Sequence, residues 1–224
     1  MRILFIQGGS RLKISEDGNW YTDGNFTNEV WERYISLCDE FILLLRRELQ
    51  VYTVKEAEKR FNKVLDSPQI RVVPLDDVTR PHSNIFNPIV RSRIKNTIFE
   101  EVKRADKCII RSGSFYTILA YEACKKFRKP YLLEVAGFVK EGLAHHSLLG
   151  KLIANTYEAK FKKMAREASA AIYVTNEALQ KRYPSNGKML GCSDVLLNEI
   201  DENVLKQRKD CLLYTSPSPR DYAA

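Results

Sequence analysis

KCIIRSGSFYTILAYEACKKFRKPYLLEVAG (107–137) reads as strand, helix, strand. KCIIRS is a short apolar run with β-branched residues, the composition of a buried strand. SFYTILAYEACKKFRK then takes up helical spacing, with Ser114 placed to cap the first turn. PYLLEVAG returns to an apolar strand that ends in Gly137. Two strands joined through a helix run parallel, and the crossover is right-handed.

The same alternation extends both ways. Upstream, RILFIQ (2–7) is a short strand that stops at Gly8-Gly9, EFILLLRRE a second, and QIRVVPLDDV a third that Pro74 confines to an edge or to its own end. NPIVRSRIKNTIFEEVKRAD is an amphipathic helix with Ile89, Ile94, Ile98 and Val102 near helical spacing. Downstream come the long helix LLGKLIANTYEAKFKKMAREAS, the strand AAIYVT, the short helix NEALQKRYPS capped by Thr175 or Asn176, and a small strand in KMLGCSDVLL. SRLKISEDGNWYTDGNFTNE is rich in turn residues and reads as a long loop or small hairpin. Thr27 or Asn28 opens a helix to about Cys38, with Val30, Tyr34 and Leu37 on one face. The expected fold class is α/β: a doubly wound, Rossmann-like, mostly parallel sheet with helices on both faces.

Composition bounds the rest. The 224 residues are 44% hydrophobic and 29% charged, ample for one sizeable core, with a net charge of +8. No aromatic RNA-binding motif, zinc-finger spacing or Arg-rich arm accompanies that charge, so no nucleic-acid partner is expected. Solvated helix faces such as KFKKMAREASAA and a weak attraction to anionic membrane account for it. The five cysteines (38, 108, 124, 192 and 211) form no CxxC, which points to free thiols in a reducing compartment. With neither a signal peptide nor a span of about 20 apolar residues, the expected location is cytoplasmic, at most peripheral to the membrane.

In open α/β sheets ligands bind beyond the carboxyl ends of the strands. That rule selects Gly8 and Gly9, Arg111 to Ser114, Glu134 to Gly137, and Thr175-Asn176. GGS has neither the spacing of a dinucleotide fingerprint nor that of a phosphate-binding loop, so no cofactor is expected. Arg111 beside a Ser-capped helix N-terminus suits a phosphate or sugar hydroxyls; equally, Arg111 pairs with a neighbouring carboxylate and Ser114 only caps. Glu134 lies late in an apolar strand, near a site or on a solvated strand end. His145-His146 has no partner at metal-ligand spacing, so no metal is expected. Catalytic residues are not assignable from this chain.

MRILFIQGG, DGNWYTDGNFTNEVWERYISLCDE, KPYLLEVAG, HHSLLGKLIA and IYVTNEALQKRYPSNGKMLGCSDVLL together resemble the N-terminal half of bacterial family 4 glycosyltransferases that build capsular and other surface polysaccharides. The resemblance implies a GT-B enzyme of hexosyltransferase type, with two Rossmann-like domains facing across a cleft. Its first domain binds a glycan or lipid-linked acceptor. The second binds a nucleotide-sugar donor and carries the Glu pair used in retaining, metal-free transfer. It further implies that Gly8 and Gly9 line the cleft floor, and that Tyr21, Thr22, Asp23, Gly24 and Asn25 form an acceptor-side lip. Arg111, Ser114, Glu134 and Gly137 would line the same cleft. Where relatives carry a His after that strand, this chain has Ala136 and Gly137, with His146 a substitute.

On that resemblance residues 1–200 are the acceptor-side domain and 201–210 the start of an interdomain connection. CLLYTSPSPRD (211–221) resembles a translated sequencing-library adapter, so 211–224 is expected to be an artefactual, disordered tail and the fragment inactive alone. The competing expectations are a stand-alone carbohydrate- or phosphate-binding module and half of a sugar-nucleotide 2-epimerase.

Overall fold

A computed structural model describes residues 1–23, 26–146 and 148–192, the side chains of 146, 148 and 149 excepted. One compact unit runs Met1–Cys192. The expectations placed on 201–210 and 211–224 lie outside the described residues.

In chain order the elements begin with β1 (Arg2–Ser15), β2 (Trp20–Thr22), α1 (Asn28–Ile35), β3 (Glu40–Tyr52), α2 (Val54–Arg60), β4 (Asn62–Lys63) and β5 (Ile70–Leu75). A 3-10 turn at His82–Phe86 leads into α3 (Pro88–Arg104), β6 (Lys107–Arg111), α4 (Phe115–Phe127) and β7 (Tyr131–Val135). The chain continues through α5 (Val139–His146), α6 (Leu148–Glu167), β8 (Ala170–Tyr173), α7 (Ala178–Arg182) and β9 (Lys188–Gly191).

Seven strands form a parallel sheet in the order β5-β3-β1-β6-β7-β8-β9. The chain winds outward from β1 to β5, then jumps back across to β6 and winds the other way. The fold is therefore the doubly wound α/β arrangement, and the reversal between β1 and β6 is its topological switch point. Among the described residues β5 pairs with β3 alone, so Pro74 sits on an edge strand, where its missing N–H costs no ladder bond.

Helices cover both faces. Ile94, Ile98 and Val102 of α3, Ala120 and Cys124 of α4 and Phe161 and Met164 of α6 pack with Leu4, Ile6, Ile110 and Leu133 of the sheet. On the other face Trp31 of α1 joins Phe5, Phe26 and Phe41, its ring stacked on Phe26 at 4.9 Å. Fully burying side chains of this size contributes about 1.5–3 kcal/mol each.

Several local expectations are corrected. β1 does not stop at Gly8-Gly9: it continues to Ser15, shifting its register against β3 between Ile6 and Arg11. Beyond the shift Leu12 is buried, and Lys13 and Ile14 pair antiparallel with β2, so the turn-rich stretch after it is a hairpin closed at Gly18, with φ +82°. β1 and β3 thus extend past the ends of β5 and β6, carrying β2 and β4 as a small extension of the sheet. On α1 the buried residue is Trp31, whereas Leu37 lies beyond the helix end and is exposed. Ile89 is also exposed, so the buried stripe of α3 begins at Ile94. Thr27 stands at the N-cap position of α1 but its hydroxyl bonds the Glu29 side chain rather than a backbone N–H. α2 has a capping box between Thr53 and Glu56 that the sequence reading passed over.

Candidate functional site at the sheet switch point

Four of the residues singled out from sequence meet in the middle of β1, level with the end of β6. Gln7 of β1 pairs with Arg111 of β6, and Arg111 pairs in turn with Glu134 of β7. Gly8 follows directly, so close to the first turn of α4 that a Cβ there would overlap Ser114 Oγ and Cβ. That close approach is why glycine is required at position 8. Ser114 caps α4 in a capping box: its Oγ accepts from Thr117 N at 3.2 Å, while Thr117 Oγ1 accepts from Ser114 N at 2.7 Å. Ser112, with φ 61°, turns the chain out of β6 so that α4 begins at the crevice. The N-terminus of this 13-residue helix therefore meets the switch point with its positive dipole end.

Glu134 is 8% exposed and both of its carboxylate oxygens are engaged. Arg111 Nη1 donates to Oε2 at 2.9 Å, and the Tyr34 hydroxyl, from α1, donates to Oε1 at 2.8 Å. The backbone carbonyl of Glu134 accepts from Ser112 N at 2.8 Å. Burial and the adjacent carboxylate push the Tyr34 phenol far above its ordinary range, so it remains a donor. The trio fixes the ends of β6 and β7 and holds Arg111 beside the crevice. Tyr34 escaped the sequence reading because its ring follows the apolar pattern of α1, stacking on Phe41 at 5.4 Å. No local signal announces where its hydroxyl goes.

The remaining expected residues make other contacts. Tyr21 and Thr22 are buried in β2, Tyr21 with Tyr52 and Ala57, and Thr22 Oγ1 donates to Phe26 O at 3.4 Å. Asp23 accepts from Lys13 Nζ and from Arg11 N, the latter at 3.2 Å. Gly9 O accepts from Arg46 Nη2 at 2.9 Å. Gly137 is exposed with open space around its Cα. Gly24, Asn25 and the His146 side chain lie outside the described residues. Arg182 and Tyr183, read as structural, bind Glu158 at 2.6 and 2.8 Å, and Tyr183 Oη accepts from Val139 N at 2.9 Å.

A surface groove of about 520 Å³ runs along α3 between Ile89 and Thr97, but it is formed by that helix alone and holds none of these groups. A second, of about 400 Å³, lies between Tyr21 and the start of α1. The switch-point crevice is the better candidate, because charged groups and a helix N-terminus converge there. Among the described residues no group of His, Cys, Asp or Glu is arranged to hold a metal ion, and no helix is long and apolar enough to cross a membrane.

The fold is a Rossmann-like α/β domain whose switch point brings Gly8, Arg111, Ser114 and Glu134 together, with Arg111 paired to Glu134 and Ser114 capping α4. No family model matches the chain. It is 31% identical over 189 residues to Protein CapJ of Staphylococcus aureus, an alignment covering 84% of this chain and 45% of that protein. The chain thus spans under half the length of the curated relative it matches. Among solved structures, a UGT transferase from Siraitia grosvenorii in complex with UDP is matched at TM-score 0.47 and 9% identity, over 96% of this chain and 56% of that one. A UDP-N-acetylglucosamine 2-epimerase is matched at TM-score 0.44 and 10% identity, over 92% and 54%. Likenesses this loose carry no argument about activity.

Proposed function

We propose that this chain is the acceptor-side domain of a GT-B, family 4-like retaining glycosyltransferase of surface-polysaccharide synthesis. The observation that carries the reading is the 31% identity to Protein CapJ of Staphylococcus aureus across most of the chain. The crevice at the switch point supports it. Gly8 lets the β1 backbone approach the α4 N-terminus, and Arg111 stands beside them, fixed by Glu134. Together they suit a polar, anionic or hydroxyl-rich ligand.

In this reading the donor nucleotide-sugar is held by a second domain, and transfer requires both. The acceptor is a glycan or lipid-linked saccharide, and the net positive charge favours work at an anionic membrane surface. Residues 1–200 belong to the acceptor domain and 201–210 begin the connection to its partner. The tail after 210 has no part in function, and the fragment alone does not catalyse.

The test is to graft residues 1–192 in place of the matching segment of Protein CapJ and assay sugar transfer from labelled nucleotide-sugars to lipid and glycan acceptors. Transfer with retained anomeric configuration supports the reading. Interconversion of a nucleotide-sugar at C2 without transfer would replace it with an epimerase. Ligand binding without either reaction would leave a binding module.

A further inference from the structure

Beside the crevice lies a charged cluster that the switch-point site does not use. Arg46 leaves β3 at the level where β5 ends, the last register pair being Arg46 with Leu75. Its Nη2 donates to Gly9 O at 2.9 Å and its Nη1 to Thr79 Oγ1 at 3.3 Å. Arg11 stands on β1 just past the register shift, and its Nε donates to Asp77 Oδ2 at 2.8 Å. Asp77, whose side chain is 4% exposed, also faces Arg46 Nη1 at 3.6 Å, so one carboxylate serves two guanidinium groups. The neighbouring Lys13 is already matched by Asp23.

Three features separate this cluster from an ordinary structural ion pair. Two cations share one carboxylate, leaving an uncompensated positive charge in a partly buried place, which is unfavourable unless something else completes it. Arg46 Nε is buried with no hydrogen-bond partner among the described residues, a further cost of keeping arginine there. The terminal nitrogens of Arg11 make no hydrogen bond among the described residues, and its side chain is 22% exposed, within reach of a ligand. A planar guanidinium with two uncommitted donor nitrogens matches a tetrahedral oxyanion better than an ammonium would.

We propose that Arg11 and Arg46, anchored by Asp77 and Gly9, form a subsite for a phosphate group next to the switch-point crevice. Arg11 supplies the direct contacts. Arg46 supplies charge and holds the Gly9 carbonyl, tying the subsite to the crevice. The phosphate is carried by a phosphorylated acceptor or by a nucleoside diphosphate; only the choice of carrier rests on the glycosyltransferase reading.

The experiment is calorimetric titration of the full 224-residue chain with inorganic pyrophosphate, at ionic strength held constant with chloride. Saturable binding is expected, weakened about tenfold or more in Arg11→Gln, the loss of one charge-assisted hydrogen-bonding group. Arg11→Lys should recover part of it, and Lys181→Gln, an exposed side chain on α7, should match wild type. Because Arg46→Gln risks misfolding, it is read only if its circular-dichroism melt matches that of Arg11→Gln. Absence of saturable binding, or equal affinity in Arg11→Gln and Lys181→Gln, overturns the proposal. Geranyl phosphate and uridine diphosphate are then titrated: Arg11-dependent binding of the first assigns the phosphate to a lipid acceptor, and of the second to a nucleotide. If neither binds through Arg11 while the CapJ graft still transfers sugar, the subsite is wrong and the glycosyltransferase reading stands.

Discussion

Arg111 Nη1 and Glu134 Oε2 lie 2.9 Å apart as register partners on adjacent parallel strands, at the level where both strands end. With Tyr34 on the other carboxylate oxygen, Glu134 has no oxygen left without a donor. Glu134→Gln keeps the shape but weakens both bonds, and should lower unfolding stability by about 1–3 kcal/mol. Tyr34→Phe should cost about 1 kcal/mol or somewhat more. The double variant should lose less than the sum, because both changes act on the same Tyr34–residue 134 bond. Chemical denaturation of the four proteins measures the coupling.

Gly8 and Ser114 test the close approach of strand and helix. Gly8→Ala should destabilise by about 1–3 kcal/mol, since its Cβ overlaps both side-chain atoms of Ser114 and neither backbone can retreat freely. Ser114→Gly alone should cost only a few tenths of a kcal/mol relative to the serine cap. The pair Gly8→Ala/Ser114→Gly should therefore be more stable than Gly8→Ala alone. Thermal melts at equal concentration decide this.

Acid should act through Asp77. Burial alone would raise its pKa, but hydrogen bonds from Thr79 and Arg11, with Arg46 nearby, hold the carboxyl below its ordinary value. A depressed folded-state pKa contributes stability that is fully present above the unfolded value, near about pH 4, and is lost as pH falls through the folded one. Asp77→Asn should thus be less stable than wild type at neutral pH, with the gap narrowing below about pH 4. Urea titrations between pH 3 and 7 would measure it.

The capping box of α2 offers a control remote from the crevice. Thr53 Oγ1 accepts from Glu56 N at 3.3 Å, so Thr53→Ala should cost about 1 kcal/mol and leave ligand binding at the switch point unchanged.

Elements whose signal is local were legible. The strands KCIIR and YLLEV, the α4 cap at Ser114 and the edge position of Pro74 follow from apolar runs, capping chemistry and the missing proline N–H. The continuation of β1 was not legible, because a Gly-Gly pair followed by Arg11 and Lys13 looks like a loop. The alternation becomes clear only once Lys13 is seen paired with Asp23. Half of the candidate site was legible for the same reason. Gly8 lies where the first apolar run stops, and Arg111, Ser114 and Glu134 at or just past the ends of strands that the sequence marks, so the rule for parallel sheets gathers them. Tyr34 and Asp77 were missed because their partners lie 100 residues away for Tyr34 and 66 for Asp77, distances that no spacing pattern encodes.

The central claim is that ligand binds at the switch point, where β6 and β7 end beside Gly8 of β1. The most direct test is amide chemical-shift mapping of the ¹⁵N-labelled chain against a soluble prenyl-phosphate saccharide. The account predicts saturable shifts clustered at Gly8, Gly9, Arg111, Ser112 and Glu134, with Arg2, Glu40 and Lys107 at the opposite strand ends unmoved. Shifts concentrated at those opposite ends, or along the groove on α3, would contradict it.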